Sequence, residues 1–220
     1  HLENFKLAIT STIKSISEMS DCKINFGEQK NKDNKNVSLP EIKKLENLKD
    51  FISLRAVADS EALRIKYSDR EIFEAYKPKG ENALKLYEIA EKIRYEKIGC
   101  DKFKGIRKNL AQNSKENDEK KNNLVTSFFE TYFRGHLFNL KDSKALDNKT
   151  KKLKKSLDQN FKKNLELLKN NLQNQDRFNK IISKIITNMD IEEKELYEET
   201  PEQNKEKEPL DNKQKDENES

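Results

Sequence analysis

Leu153, Leu157, Phe161, Leu165, Leu168 and Leu172 follow one another at intervals of three and four residues. A helix of 3.6 residues per turn gathers such positions on one side, whereas a strand would split them between two faces. Beyond a polar break, Phe178, Ile181, Ile182, Ile185, Ile186 and Met189 continue the pattern. Together the two runs predict a helical hairpin.

The same spacing governs most of the chain. Phe5, Ile9, Ile13 and Ile16 predict a first amphipathic helix that ends at Ser20-Asp21. A long helix is expected from Ile42 to Tyr67, with Phe51, Leu54, Ala58, Ala62 and Ile65 on one stripe. Asp69, just before Arg70-Glu71, has the character of a cap opening a short helix to Tyr76, and Pro78-Lys79-Gly80 breaks it. From Glu81 to Ile98 the residues Ala83, Leu86, Ala90 and Ile93 share a face, and Gly99 is expected to supply a left-handed stop. A further short helix is expected over Lys102 to Gln112, and Leu124 to Phe138 is the most aromatic stretch. Only Cys22 to Phe26 and Val37 to Leu39 alternate as half-buried strands do; with the polar loop Gly27 to Asn36 between them they predict a small hairpin.

The expected fold is therefore mainly α: a helical domain over residues 1–112 with a two-stranded β-hairpin near its start, a linker at 113–123, a helical lobe at 124–190 carrying the helical hairpin, and a disordered acidic tail at 191–220. Composition supports the tail. Only 33% of the chain is hydrophobic and 39% is charged, against roughly 45–50% and about 25% in ordinary globular domains. Ile191 to Ser220 holds 12 acidic and 5 basic residues, leaving 40 basic and 28 acidic before it. Such a tail has too little to bury to offset an ordering cost of roughly 1–2 kcal/mol per residue. It either folds back loosely on the basic body or forms one end of a longer acidic linker, in which case the chain is a fragment. Cys22 and Cys100 lie far apart, and no secretory leader, lipidation signal or run of about 20 apolar residues accompanies them. A soluble, cytoplasmic chain with free thiols and no membrane association is expected.

Reactive constellations are scarce. Gly27, Gly80, Gly99, Gly105 and Gly135 are scattered, so no glycine-rich loop is available to cradle phosphate. Two separated cysteines with His1 and His136 match no zinc spacing. His136, next to Arg134-Gly135 and among aromatics, reads as an ordinary helix-end residue. No catalytic, cofactor-binding or metal-ligating residue is assigned.

A polar set on the two central helices is more informative. Arg55 and Asp59 are four apart, Glu91 and Arg94 three apart, so each pair shares a helix face; Arg64 and Glu96 stand on the same helices. This set is either a salt-bridge network fixing how the helices dock or a partner-binding or catalytic cluster. Charged residues near a core are usually paired, and the set contains no His or Tyr, which favours the structural reading. A nucleic-acid groove is disfavoured as well, because the lysines are interspersed with acids and the aromatics sit at core spacing.

Leu54-Arg-Ala-Val-Ala-Asp-Ser-Glu-Ala-Leu-Arg64 resembles the R-G-x-A-D-S-x-A-L-R stretch of CobT-type cobaltochelatase subunits. Tyr87 to Gly99, and then Gly105-Ile-Arg-Lys-Asn-Leu110, resemble that family's E-Q-A-R-x-E-A-L-G and G-V-x-x-N-L segments. Phe5-Lys-Leu-Ala-Ile-Thr-Ser-Thr, the paired strands, Asp176-Arg-Phe178 and the acidic region agree in order. Ala56 departs from the family's usual glycine, which puts a close helix contact there in doubt, and the linker around Lys115 is richer in Asn and Lys.

The resemblance implies a subunit that continues through its acidic region into a von Willebrand A-type domain. It would act with an AAA+ ATPase and a large chelatase subunit, in an oligomeric complex, to insert cobalt into a corrin ring during cobalamin synthesis. ATP, magnesium and cobalt would then be used by the complex, with no site in this chain. The expected function is a non-catalytic scaffold and partner-docking region of that ligase. Its rivals are an adaptor for another AAA+ machine that remodels metalloproteins and a nucleic-acid-binding helical protein.

Overall fold

A computed structural model describes residues 2–27, 36–41, 48–117, 124–140 and 148–189. Nine helices and two short strands occur among them. The expected acidic tail, residues 118–123 of the expected linker, most of the Gly27–Asn36 loop and the first turns expected before Leu48 lie outside the described residues. None of the described helices is long and apolar enough to cross a membrane.

The first unit is built from α1 (Leu2–Ser17), β1 (Lys23–Phe26), β2 (Asn36–Leu39) and α2 (Leu48–Tyr67). Both strands stand where alternation placed them, but they pair in parallel, Lys23 opposite Asn36 and Phe26 opposite Leu39, and so do not form a hairpin. The helices explain the direction. Phe5 stacks on Phe51 at 4.7 Å, Arg55 donates to Thr12 and Lys66 pairs with Glu18, so α1 and α2 run side by side in the same sense. β2 finishes at the end where α1 begins, the end from which α2 also starts. β1 finishes there too, since Lys6 lies 5.6 Å from the Phe26 ring centre and the backbone N–H of Gly27 donates to the carbonyl of Leu39. The return between parallel strands of this length is about 13 Å, at roughly 3.3 Å per residue, which a few extended residues cover. Ile9, Ile13, Cys22, Val37, Leu39, Leu54, Ala58 and Ala62 form the buried apolar layer of this unit.

Asp69 caps α3 (Arg70–Ala75) as its position implied, accepting from the backbone N–H groups of Glu71 and Ile72. α4 (Glu81–Lys102) follows, then α5 (Lys104–Asn117), which extends into the segment expected as linker. α6 (Leu124–Phe138), α7 (Asn148–Phe161), α8 (Leu165–Asn170) and α9 (Gln175–Asn188) complete the chain. Leu86, Tyr87, Ala90 and Ile93 of α4 enter one apolar cluster with Phe129 and Phe133 of α6, Phe161 of α7, Leu168 of α8 and Phe178 and Ile182 of α9. Farther along the same helix, Tyr95 and Cys100 pack with Leu63 of α2 and Ile106 of α5. α4 is thus the common wall of these two clusters.

The expected helical hairpin is present with its first arm broken. The run from Leu153 to Leu172 divides after Phe161, whose carbonyl accepts from the backbone N–H of Asn164. Asn164 and Asn171 turn their side-chain amides onto the carbonyls of Asn160 and Leu167, the local competition by which asparagine interrupts helices.

Gly99 does not stop α4, which continues to Lys102. Its role is close packing: a Cβ there would lie 2.3 Å from a methyl of Leu63, and Leu63 is fully buried. Substituting Gly99→Ala is expected to destabilise the fold, because overpacking costs about 1–3 kcal/mol and outweighs the roughly 1 kcal/mol that alanine gains in helix propensity. The urea midpoint should drop with an unchanged slope, and adding Leu63→Ala should cost less in this variant than in the parent. Independent effects of the two changes would argue against the contact.

Candidate functional site

Arg94 is the largest fully buried side chain of the described chain, with 1% of its surface exposed. Its Nε donates to Glu91 Oε2 at 2.8 Å and its Nη2 to Glu91 Oε1 at 2.7 Å, a bidentate pair within one turn of α4. Nη1 donates to the carbonyl of Leu172, between α8 and α9, and Nη2 also reaches the carbonyl of Tyr67 at the end of α2. Ser68 Oγ donates a further bond to Glu91 Oε1 at 2.7 Å. The Gln175 side chain closes the arrangement by accepting from the backbone N–H of Asp69 and donating to its carbonyl. The guanidinium lies 5.9 Å from the Phe178 ring centre, where it gains cation–π attraction. One arginine thereby joins α2, α4 and the α8–α9 turn.

Glu96, 2% exposed, makes a second tie. It accepts from Ser60 Oγ of α2 at 2.7 Å and from Arg134 Nη2 of α6 at 2.8 Å. Burial works against the Arg134 cation, but the Glu96 and Glu130 carboxylates outweigh it and hold its pKa above the ordinary value. Asp59, 1% exposed, makes a third. Asn109 of α5 donates to its Oδ2 at 2.7 Å. Arg55 Nε stands 3.3 Å from Oδ1, yet Oδ1 has no aligned hydrogen-bond donor, so the arginine contributes charge without a directed bond. Burial accordingly raises the Asp59 pKa above its ordinary 3.8. Arg64 is peripheral, pairing with Glu61 at 2.8 Å and reaching the Asn36 carbonyl.

Of the six polar residues expected to act together, five therefore form three separate ties and not one cluster, and Arg64 enters none of them. Arg94–Glu91, Glu96 and Asp59–Arg55 face three different neighbours of the α2–α4 pair, and Arg64 faces the strands. Sequence spacing could pair residues only within a helix, so Ser60, Ser68, Arg134 and Gln175 were not found. Asn109 was within reach, since it lies in the Gly105-to-Leu110 segment that carries the family resemblance.

These atoms leave little room for chemistry. Both Glu91 oxygens and three nitrogens of Arg94 are occupied by structural hydrogen bonds, and the shared charge is neutralised on the spot. Cys22 and Cys100 are free thiols in separate apolar clusters; burial raises both, Cys100 to about 11, which keeps them protonated. His136 packs edge-on against Tyr132 at 4.5 Å. No three His, Cys, Asp or Glu side chains among the described residues converge as a metal site would require. An open groove of about 620 Å³ runs between α1 and β1, bordered by Lys6, Leu7, Thr10, Ile24 and Phe26.

The family model for the cobalamin biosynthesis protein CobT matches residues 1–220. No solved structure matches the chain.

Two outcomes follow from the ties. Arg94→Ala should lower stability by about 3–5 kcal/mol, the usual cost of stranding a buried charge. Pairing Arg94→Met with Glu91→Leu should restore only part, because the Tyr67 and Leu172 carbonyls stay unmet; a loss under about 1 kcal/mol for Arg94→Ala in denaturant melts would exclude the tie. For Asp59, a folded-state pKa above the unfolded one means that the folded chain holds the proton longer. Stability is then fullest below pH 3.8 and declines as pH rises through the raised folded value. Relative to the parent, Asp59→Asn should gain stability as pH is raised from about 4 toward neutrality, and parallel pH profiles for the two proteins would contradict the buried charge.

Proposed function

From the premise that this chain belongs to the CobT family of cobalamin biosynthesis proteins, we propose that it is the non-catalytic scaffold and partner-docking region of an ATP-dependent cobalt chelatase subunit. The observation that carries the reading is where the polar residues of the family-like segments are spent. Asp59, Ser60, Glu91, Arg94, Glu96 and Asn109 all bond to another helix or to a turn beside one, so their chemistry serves a defined helix arrangement. A body held by directed bonds at three crossings moves as a unit. That property suits an element transmitting the nucleotide state of a partner to a distant reaction centre.

In this reading the protein works in the cytoplasm, in an oligomeric complex with an AAA+ ATPase subunit and a large chelatase subunit. ATP and magnesium are handled by the motor, and cobalt is the substrate delivered into a corrin ring by the catalytic subunit. The contact surface is drawn from apolar side chains left outside the three cores, among them Leu7 beside the α1–β1 groove and Leu48 at the start of α2, which are 64% and 73% exposed.

The test is size-exclusion chromatography with light scattering on this chain mixed with the AAA+ ATPase subunit of a cobalt chelatase, with and without ATP. A larger particle whose abundance depends on nucleotide is expected. Leu7→Asp together with Leu48→Asp should reduce it without changing the far-ultraviolet helix signal. Separate elution in every nucleotide state would refute the docking role.

A further inference from the structure

On the amino-terminal helices, surface charge is balanced locally. Lys6 pairs with Glu3, Lys77 with Glu74, Lys85 with Glu81 and Lys97 with Asp101, each within one turn. The α7–α9 region departs from this. Residues 148–189 contain eleven Lys or Arg and only three acids. All three acids are already engaged: Asp158 accepts from Tyr132 Oη, Asp176 accepts from Tyr76 Oη, and Glu166 pairs with Lys169. Arg177, Lys180 and Lys184 lie exposed at spacings of three and four, opposite buried Phe178, Ile182 and Ile185. On α7, Lys151 and Lys155 are likewise exposed one turn apart, with Lys162 just beyond the helix end. Among the described residues no carboxylate pairs with any of these six side chains.

We propose that the cationic outer faces of α7 and α9 are the docking surface for the acidic segment Ile191–Ser220 of the same chain. The charges match: this segment carries 12 acidic against 5 basic residues, and the helices it follows carry an excess of opposite sign and similar size. Connectivity favours the same pairing. The segment begins directly after α9, and the helix is about 20 Å long at 1.5 Å per residue. About six extended residues, at roughly 3.3–3.6 Å each, suffice to run back along it. Glu192, Glu193, Glu195, Glu198 and Glu199 are the first to come within reach of the α9 stripe. Tethering holds these carboxylates at high effective concentration, so a free acidic partner or a phosphate backbone must compete with them. Each exposed pair is weak, and charges farther apart than about 10 Å are screened at 0.1 M salt, so the contact is distributed over several pairs and is salt-labile. The inference is independent of the chelatase role.

The experiment uses the full 220-residue chain, labelled with nitrogen-15 and carrying a spin label at Glu206→Cys; the native cysteines are buried. In about 0.05 M salt, where the Debye length is near 14 Å, the amides of Lys151–Lys155 and Arg177–Lys184 should lose at least half their intensity. The loss should disappear in about 0.5 M salt, and should also disappear on α9 when Lys180→Glu and Lys184→Glu are combined. Mixing spin-labelled chains with separate nitrogen-15 chains distinguishes the source: a contact within one chain leaves that mixture unbroadened, whereas broadening that persists in it would assign the segment to a neighbouring copy. That result, broadening centred on other helices, or no broadening at low salt would each overturn the proposal.

Discussion

The buried Arg94–Glu91 pair is the constraint on which the arrangement of the described helices depends. A guanidinium with 1% exposure is tolerable only if its donors are met and its charge is opposed. Both conditions are satisfied here by groups from different parts of the chain: a carboxylate one turn away, the last carbonyl of α2, and a carbonyl between α8 and α9. Apolar packing alone would allow these elements to slide past one another at modest cost. Directed bonds to two backbone carbonyls set one register, because any shift strands both the cation and the oxygens it serves.

The same logic extends to the other crossings, with small residues making them possible. α2 presents Ala56, Ala58, Ser60 and Ala62, all buried, and α4 presents Gly99, whose missing side chain is the space occupied by Leu63. Such close backbones shorten the distance that a serine or an asparagine must span, which is how Ser60 reaches Glu96 and Asn109 reaches Asp59. The alanine standing at position 56 is 1% exposed, so a methyl group is accommodated where the family resemblance has glycine. Close approach and buried charge therefore depend on each other around α4.

A body tied in this way suits a protein that holds or transmits position. Its polar atoms are committed inward, and what remains for partners is an open groove, a few exposed apolar side chains and an uneven surface charge. The cationic faces of α7 and α9 differ in kind from the locally paired surface of the first four helices. They are a part of the described exterior with an excess of cations over the acids of its own elements.

Helical character was legible wherever apolar residues recur at three and four, and the Asp69 cap was legible from one side chain placed before a short helix. Pairing within one helix was legible too, which is why Arg55 with Asp59 and Glu91 with Arg94 could be named in advance. Partners on other helices were not, since spacing along the chain carries no information about what lies across a crossing. Gly99 shows the limit: glycine after an apolar run reads as a stop, but only the packed Leu63 reveals that it serves a close contact inside a continuing helix. The strands show it again. Alternation located β1 and β2, but it carries no direction, and their parallel pairing is seen only once the strands pack with α1 and α2 around Ile9, Ile13, Leu54 and Ala58. By itself the sequence determined the helical character, the Asp69 cap and the uneven charge, because these follow from neighbours within a turn or from counting. The tertiary structure alone decided strand direction, the three separate ties and the burial of Arg94, because each depends on surfaces that meet only after distant segments have packed.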